Sequence, residues 1–363
     1  MKIVMIVTEP SGDFLGFQLM KEIKKKKKNI AIHGLGGELM QGCGLKSWID
    51  IKEFSTIGVF EVLIRVFKFI KMLNLVEKKI RDLKPDLVIT IDSPSFSYRL
   101  IKRIQKLRES GSRFIHYVAP TVWAWKEYRA KLFSHLYDEL FTLFKFEPKY
   151  FKKYGLKTTF VGHEIFFEKI KTKKKKKIIS FLPGSRKTEI ERNLNLLKET
   201  IKNTKKEFKN FKIYILSFKP YSKLIDLILE DKEVNIITDF KNKQQILNDS
   251  FLAVASSGSV TLELCKFKTP TIVVYDTHII TRLIIKLFVK VKYASIMNIM
   301  FNKEIIPEFL FEKFKYINLT KQINKLVKSK KERKIQENYM NKFSKLMLNR
   351  GAKPSKIIVD KIF

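Results

Sequence analysis

Cysteine is nearly absent: only Cys43 and Cys265 occur in 363 residues, far apart, with no CxxC pair and no histidine cluster beside them. Neither a disulfide framework nor a zinc site is supported, and a reducing cytoplasm fits this usage best. Long apolar runs are missing too. The nearest, IGVFEVLIRVFKFIKML from 57 to 73, is cut by Glu61, Arg65, Lys68 and Lys71, so no stretch reaches the uninterrupted length of a membrane span. The opening MKIVMIVTEPSGD meets Glu9, Pro10 and Asp13 too soon for a signal peptide and reads as a first buried strand. No internal repeat of solenoid length occurs, which excludes stacked-repeat architectures. Acidic side chains are the last shortage, 36 against 73 Lys plus Arg, for a formal net charge of +37.

That excess would attract nucleic acid, anionic lipid or phosphorylated substrates. Lysine is spread along the chain, however, with Ile, Phe and Asn also abundant, as a codon bias toward AT would produce, and no nucleic-acid recognition motif accompanies the charge. No nucleic-acid partner is expected on that ground. The runs at 24–28 and 173–177 read as a solvated helix end and a solvated linker. The stretch 57–73 is an amphipathic helix, which either packs on a sheet or rests on a membrane surface.

What is present is a large apolar fraction, 45%, enough for a sizeable core and, at this length, two domains. Short β-rich runs (KIVMIV, NIAIHGL, PDLVITI, RFIHYV, ELFTLF) alternate with helical patterns, the mark of parallel strands joined by crossover helices. A lysine-rich break at about 168–177 precedes a second alternating series, KIISFL, FKIYILS, VNIITD, LAVASS and TPTIVVYD. From 320 onward the pattern is helical and lysine-rich.

Ligands of open α/β sheets sit beyond the carboxyl ends of the strands, so the residues following each apolar run are the candidates. After the first, TEPSGD sets Glu9, Ser11, Gly12 and Asp13 before a helix; Asp13 suits a plain cap, which leaves Glu9 unexplained. After the second, Gly34, Gly36 and Gly37 offer either a backbone cradle or a turn. In PDLVITIDSPSFS, Asp92 ends a buried strand just before Pro94. It reads as a general base for an attacking hydroxyl or as a loop-capping Asx-turn. HYVAPTVWAWKEYR brings His116, Trp123, Trp125 and Arg129 to a strand end, as a sugar-stacking and anion-binding wall or as aromatic packing.

In KIISFLPGSRKTEIERNL, Pro183 and Gly184 end a strand, Ser185 and Arg186 form the turn, and Thr188 with Glu191 fits a capping box that starts a helix. Free N–H groups and the dipole there favour an anion, and Arg186 adds a bidentate charge suited to a diphosphate. ASSGSVTLELC supplies Ser256, Ser257, Gly258, Ser259 and Thr261 at another strand-to-helix junction. Glu263, one turn past Ser259, is placed to accept from ribose hydroxyls.

The set EPSGD, IDSPSF, HYVAPTVWAW, FVGH, LPGSRKTEI, SSGSVTLE and YASIMN with EIIPEFL stands in the order and spacing of lipid-A-disaccharide synthases, and the chain resembles that family over nearly its whole length. The resemblance implies an α/β fold of GT-B type, two Rossmann-like domains with parallel sheets facing a central cleft. Residues 1–167 would form an acceptor-binding domain, on which a C-terminal helix at about 343–363 packs back, and residues 168–342 a UDP-sugar donor-binding domain. The implied reaction is an inverting, metal-independent and cofactor-free transfer of 2,3-diacylglucosamine from its UDP derivative to the 6-hydroxyl of 2,3-diacylglucosamine 1-phosphate (lipid X). The product is lipid A disaccharide 1-phosphate, and UDP is released. Asp92 would be the essential carboxylate, with Glu9 and Asp13 beside it at the catalytic centre and, together with Ser11, lining the acceptor side; Gly12, and Trp123 and Arg129 of the wall read above, are candidates for substrate binding. Arg186, with Gly184 and Ser185, would bind the donor diphosphate. Ser257, Gly258, Ser259 and Glu263 would hold the nucleotide, with Asn298 completing the site. The family also implies a peripheral enzyme on the inner face of the bacterial inner membrane, drawn to anionic lipid, and a homodimer that exchanges C-terminal elements. Ser95, Met297 and Phe311 depart from the family's pattern. Two rivals remain at the level of sequence: a UDP-sugar epimerase of the same architecture, and a basic RNA- or anion-binding protein.

Overall fold

The first apolar run becomes strand β1 (Lys2–Val7), buried at every residue after Lys2. Burial on both faces is the condition that favours such unbroken apolar strands in parallel sheets. In the computed structural model, which describes residues 1–27, 30–54, 62–168 and 174–363, the chain divides into two units. One comprises Met1–Phe167 with Leu346–Phe363, the other Glu168–Lys345. Residues 57–61 of the amphipathic stretch, and Lys28 and 169–173 of the lysine-rich segments, lie outside the described residues.

The first unit continues through α1 (Pro10–Lys26), β2 (Ala31–Leu35), α2 (Glu38–Gly42), α3 (Val62–Leu83), β3 (Leu87–Ile91), α4 (Pro94–Arg103), β4 (Arg113–Tyr117), α5 (Arg129–Leu136), β5 (Glu139–Thr142), α6 (Pro148–Lys152) and β6 (Lys157–Phe160). Its strands are all parallel, in the order β2-β1-β3-β4-β5-β6. Helix α1 starts with Pro10 in its first turn, where a missing N–H costs nothing, and buries Leu15, Leu19, Met20 and Ile23 at helical spacing. Helix α3 divides along its length: Leu73, Val76 and Ile80 enter the core, whereas Val66, Phe67 and Ile70 are exposed.

The second unit contains β7 (Ile178–Leu182), α7 (Lys187–Glu207), β8 (Lys212–Leu216), α8 (Ser222–Leu229), β9 (Asn235–Ile237), α9 (Phe240–Asp249), β10 (Leu252–Ser256), α10 (Val260–Lys266), β11 (Thr271–Tyr275), α11 (Ile279–Phe288), α12 (Ile296–Phe301), β12 (Glu308–Leu310), α13 (Tyr316–Lys328) and all but the last two residues of α14 (Lys330–Met347). Its parallel strands run β12-β11-β10-β7-β8-β9. Apolar clusters line both sheet faces: Ile179, Phe181, Leu194 and Val254 belong to one, Leu182, Leu216, Ala255 and Leu264 to the other.

The terminal α15 (Pro354–Ile362) belongs to the first unit and buries Ile358, Val359 and Ile362. Asp360 pairs with Lys26 of α1 at 2.8 Å, and the Ser355 N–H donates to buried Glu164.

The lysine run at 173–177 is not simply solvated. Lys175 Nζ donates to the Asn248 and Phe267 carbonyls and to Thr269 Oγ1, and Lys176 pairs with the buried Asp249 at 2.7 Å. Carbonyls left at the α9 end and past α10 need donors, and the run supplies them. At the other run, Lys24, Lys25 and Lys26 bond the Cys43 carbonyl, Glu22 and Asp360 respectively.

Candidate functional site

In a doubly wound sheet the crevice opens where the strand order reverses. In the first unit that point lies between β1 and β3, in the second between β7 and β10. The residues singled out after β1, β3, β7 and β10 stand at these two reversals.

At the first, Glu9 is the half-buried, extended residue preceding α1, and exposed Ser11 donates its hydroxyl to Asp92 Oδ2 at 3.0 Å. Asp92 and Ser93 both adopt the left-handed conformation, φ 58° and 47°. The Asp92 N–H donates to the Tyr117 carbonyl at 2.9 Å, the Ser97 hydroxyl to the Asp92 carbonyl at 3.0 Å, and the Ser93 N–H to Asp92 Oδ1 at 2.8 Å. The carboxylate thus serves the very next N–H, not the one two residues on, so the Asx-turn reading does not describe it. Backbone held in such conformations gathers at active sites, where surrounding bonds over-determine it. Gly12 allows the close approach of β1 and β3 to this turn, since a Cβ there would lie 3.0 Å from Val7 Cγ1 and 3.3 Å from the Ile91 carbonyl oxygen, so that its neighbours would have to give way.

Asp13 departs from expectation. It neither caps its own helix nor faces outward: buried, it accepts from the N–H groups of Gly37 (2.8 Å), Leu39 (2.9 Å) and Met40 (3.2 Å), and so caps α2. The glycine cradle is therefore filled by an internal carboxylate. At Gly37 a Cβ would stand 2.5 Å from Asp13 Oδ2.

The aromatic wall is also rearranged. His116 lies in the core, its Nδ1 2.7 Å from Thr90 Oγ1, which in turn is 3.0 Å from the Tyr137 hydroxyl. Burial holds the imidazole pKa down to about 3, so it is neutral. Trp123 spends its indole N–H on Glu147 Oε1 at 3.2 Å, and the Phe144 N–H donates to Oε2 at 2.9 Å. Burial raises the Glu147 carboxyl to about 7. Arg129 opens α5 with its guanidinium 5.8 Å from the Trp125 ring, which also lies under Lys126 at 4.0 Å.

At the second reversal, Gly184 has φ +138°, and a side chain there would collide with Glu189. Ser185 and Arg186 are exposed, and Arg186 is the residue before α7. The expected Thr188–Glu191 capping box does not form. The helix begins at Lys187, which makes Glu189 its third residue, and it is Glu189 that reaches back to the Ser185 N–H at 3.0 Å. Asn193, which the sequence reading missed, is fully buried and donates to the Pro183 carbonyl at 2.6 Å, fixing α7 to the end of β7.

Beyond β10, Ser257 donates to the Ala294 carbonyl at 3.0 Å, while Gly258 and Ser259 are exposed, with open space where a Cβ on Gly258 would point. Glu263 is half-buried and accepts from Gln244; burial raises its pKa against the pull of Lys243. Asn298 has no capacity left for a ligand. It is fully buried, its Oδ1 accepts from the Ile305 and Ile306 N–H groups at 2.9 Å each, and its Nδ2 donates to the Ile306 carbonyl and Glu308 Oε1 at 2.7 and 2.8 Å. Glu308, also missed, accepts in addition from the Ala294 and Ser295 N–H groups. Together the pair shapes the loop that Ser257 touches. Among the described residues, no group of three or more His, Cys, Asp or Glu side chains could hold a metal ion.

A family model described as Lipid-A-disaccharide synthetase matches residues 3–362. The lipid-A-disaccharide synthase of Rickettsia prowazekii (strain Madrid E) is 36% identical over 354 residues, spanning 91% of this chain and 93% of that protein. Among solved structures, the UDP-GlcNAc 2-epimerase of Neisseria meningitidis bound to UDP-GlcNAc aligns with TM-score 0.67 at 14% identity, covering 100% of this chain and 99% of that one. The calicheamicin glycosyltransferase CalG4 aligns with TM-score 0.60 at 10% identity, covering 99% and 97%. At such identities the structural likeness concerns the fold, which is α/β of the GT-B class.

Proposed function

The chain belongs to the lipid-A-disaccharide synthase family, glycosyltransferases of lipid A biosynthesis, and from that premise we propose that it transfers 2,3-diacylglucosamine from its UDP derivative to the 6-hydroxyl of lipid X, with inversion and without a metal. The observation that carries the reading is the placement of Asp92 at the β1/β3 reversal, held in a left-handed conformation with Ser11 on its carboxylate.

In this scheme Asp92 takes the proton of the acceptor hydroxyl as that oxygen attacks the anomeric carbon, and Ser11 orients the carboxylate. Glu9 shares the acceptor side. Asp13 acts by fixing the turn before α2, and Trp123 by holding its loop to Glu147, so both position rather than touch substrate. Arg129 and the Trp125 face offer cation and ring to the acceptor phosphate and sugar. As the bond to UDP breaks, the departing negative charge falls to the N–H groups at the start of α7, with Gly184, Ser185 and Arg186. Glu189 must then release the Ser185 N–H. Ser257, Gly258, Ser259 and Glu263 hold the nucleotide, and Asn298 acts through the loop it braces.

Both substrates carry acyl chains, so the enzyme works as a peripheral protein on the inner face of the inner membrane, where each Lys or Arg near anionic lipid contributes about 1 kcal/mol. In a homodimer that exchanges C-terminal elements, the bonds of Asp360 and Ser355 to α1 and Glu164 would be made by a second copy. The domain roles follow: acceptor on the first unit, donor on the second. Incubation of the purified protein with UDP-diacylglucosamine and lipid X should yield the disaccharide 1-phosphate and UDP by mass spectrometry. Epimerisation of a UDP-sugar with no disaccharide would overturn the proposal.

A further inference from the structure

Helix α11 exposes a broad apolar face. Ile279 (64% exposed), Leu283 (56%), Ile284 (43%), Leu287 (76%) and Phe288 (62%) follow helical spacing and occupy about half of its circumference. Its cations are engaged by acids of their own unit, Arg282 largely covered and Lys286 at the surface. Arg282 pairs with Asp276 at 2.7 Å and Glu312 at 3.3 Å and lies 5.5 Å from the Phe311 ring, and Lys286 pairs with Glu312 at 2.8 Å. A helix selected to face water has the opposite arrangement. Apart from Asp276 and Glu312, which those cations engage, the surroundings are basic: no Asp or Glu occurs between Asp276 and Glu304, whereas Lys290, Lys292 and Lys303 follow the helix, and Lys290 and Lys292 are exposed. No described helix is long and apolar enough to cross a membrane.

The position matters as well. Helix α11 leaves the carboxyl end of β11, the neighbour of β10, and the chain runs from it into Ala294–Asn298, the loop that Ser257 bonds. On the transferase reading, on which this inference rests, the donor bound near that loop is acylated.

We propose that α11 is an interfacial helix, its apolar face lying at the boundary of headgroups and acyl chains in a bilayer rich in anionic phospholipid, with Lys290 and Lys292 against the lipid phosphates. The second unit thereby meets the membrane next to its nucleotide loops, apart from any contribution of α3. Amphipathic helices with an apolar face and basic flank bind in this way, with strength set by buried apolar area and anionic lipid content.

The test uses the full chain bearing Leu283→Ser, Leu287→Ser and Phe288→Ser together, sedimented with vesicles of phosphatidylglycerol and phosphatidylcholine. Because all three residues are exposed, thermal stability and UDP affinity should be unchanged. The expected result is about ten-fold or greater loss of vesicle partitioning, with disaccharide formation from detergent-dispersed substrates retained. Equal partitioning of variant and unaltered protein, or no partitioning by the unaltered protein, would overturn the proposal. So would unchanged vesicle binding with a shift from dimer to monomer in sedimentation velocity, which would assign the face to a second copy. Loss of vesicle binding by the variant, with no disaccharide from the unaltered protein in detergent, would support the lipid-facing helix and end the transferase reading.

Discussion

Asp92 and Ser93 hold backbone conformations that cost roughly 1–2 kcal/mol each for residues with a Cβ, and bonds from Ser11, Ser97 and the β4 end keep them there. Aspartate just before a Pro94 stop was legible as a residue at a strand end because strand end and breaker coincide in sequence. The true partners of Asp13 and Asn298 were not, because tertiary packing chooses among the N–H groups a carboxylate or amide can serve. Arg186→Ala is expected to weaken UDP binding by roughly ten- to a hundred-fold, read by calorimetry, because on the proposed function it would remove a charge-assisted bond to the diphosphate. Glu147 gives a pH prediction. Its folded pKa of about 7 stands above the ordinary 4.5, so the folded state binds the proton more tightly. The stability this confers below 4.5 is lost as pH rises through 7. Glu147→Gln should remove that loss, at most about 3 kcal/mol, and shrink the difference in Tm between pH 5 and pH 8.

Elements were read more reliably than their ends. The alternation of apolar strands and amphipathic helices announced two parallel sheets, but the strand order, and hence the reversals that bring Ser11 to Asp92, depends on which crossover goes to which side, and local pattern does not encode that. The start of α7 was misplaced by the same limitation, since Thr188 and Glu191 fit a capping box as well as Glu189 fits its actual role. At α12 the Asn298–Glu308 pair ties β12 to the loop beside Ser257. Asn298→Ala would strand two N–H groups and part of a carboxylate, and should cost roughly 2–4 kcal/mol in denaturant unfolding. UDP affinity should fall with it, as the loop loses its brace.

At the scale of the whole molecule, the formal charge of +37 invites a nucleic-acid reading. Part of it is structural: Lys175 and Lys176 close carbonyls and a buried carboxylate, and the α1 lysines bond within their own unit. Composition cannot separate such lysines from a binding surface, whereas the family is one of glycosyltransferases of lipid A biosynthesis, and the proposed function assigns the residues at both sheet reversals to a nucleotide sugar. The central claim is that Asp92 performs the proton transfer while the second unit alone holds the nucleotide. The most direct measurement is the turnover of Asp92→Asn with UDP-diacylglucosamine and lipid X, taken beside its UDP dissociation constant. A fall in kcat of about 10²–10⁴ with unchanged UDP affinity is predicted, and retained turnover would contradict the account.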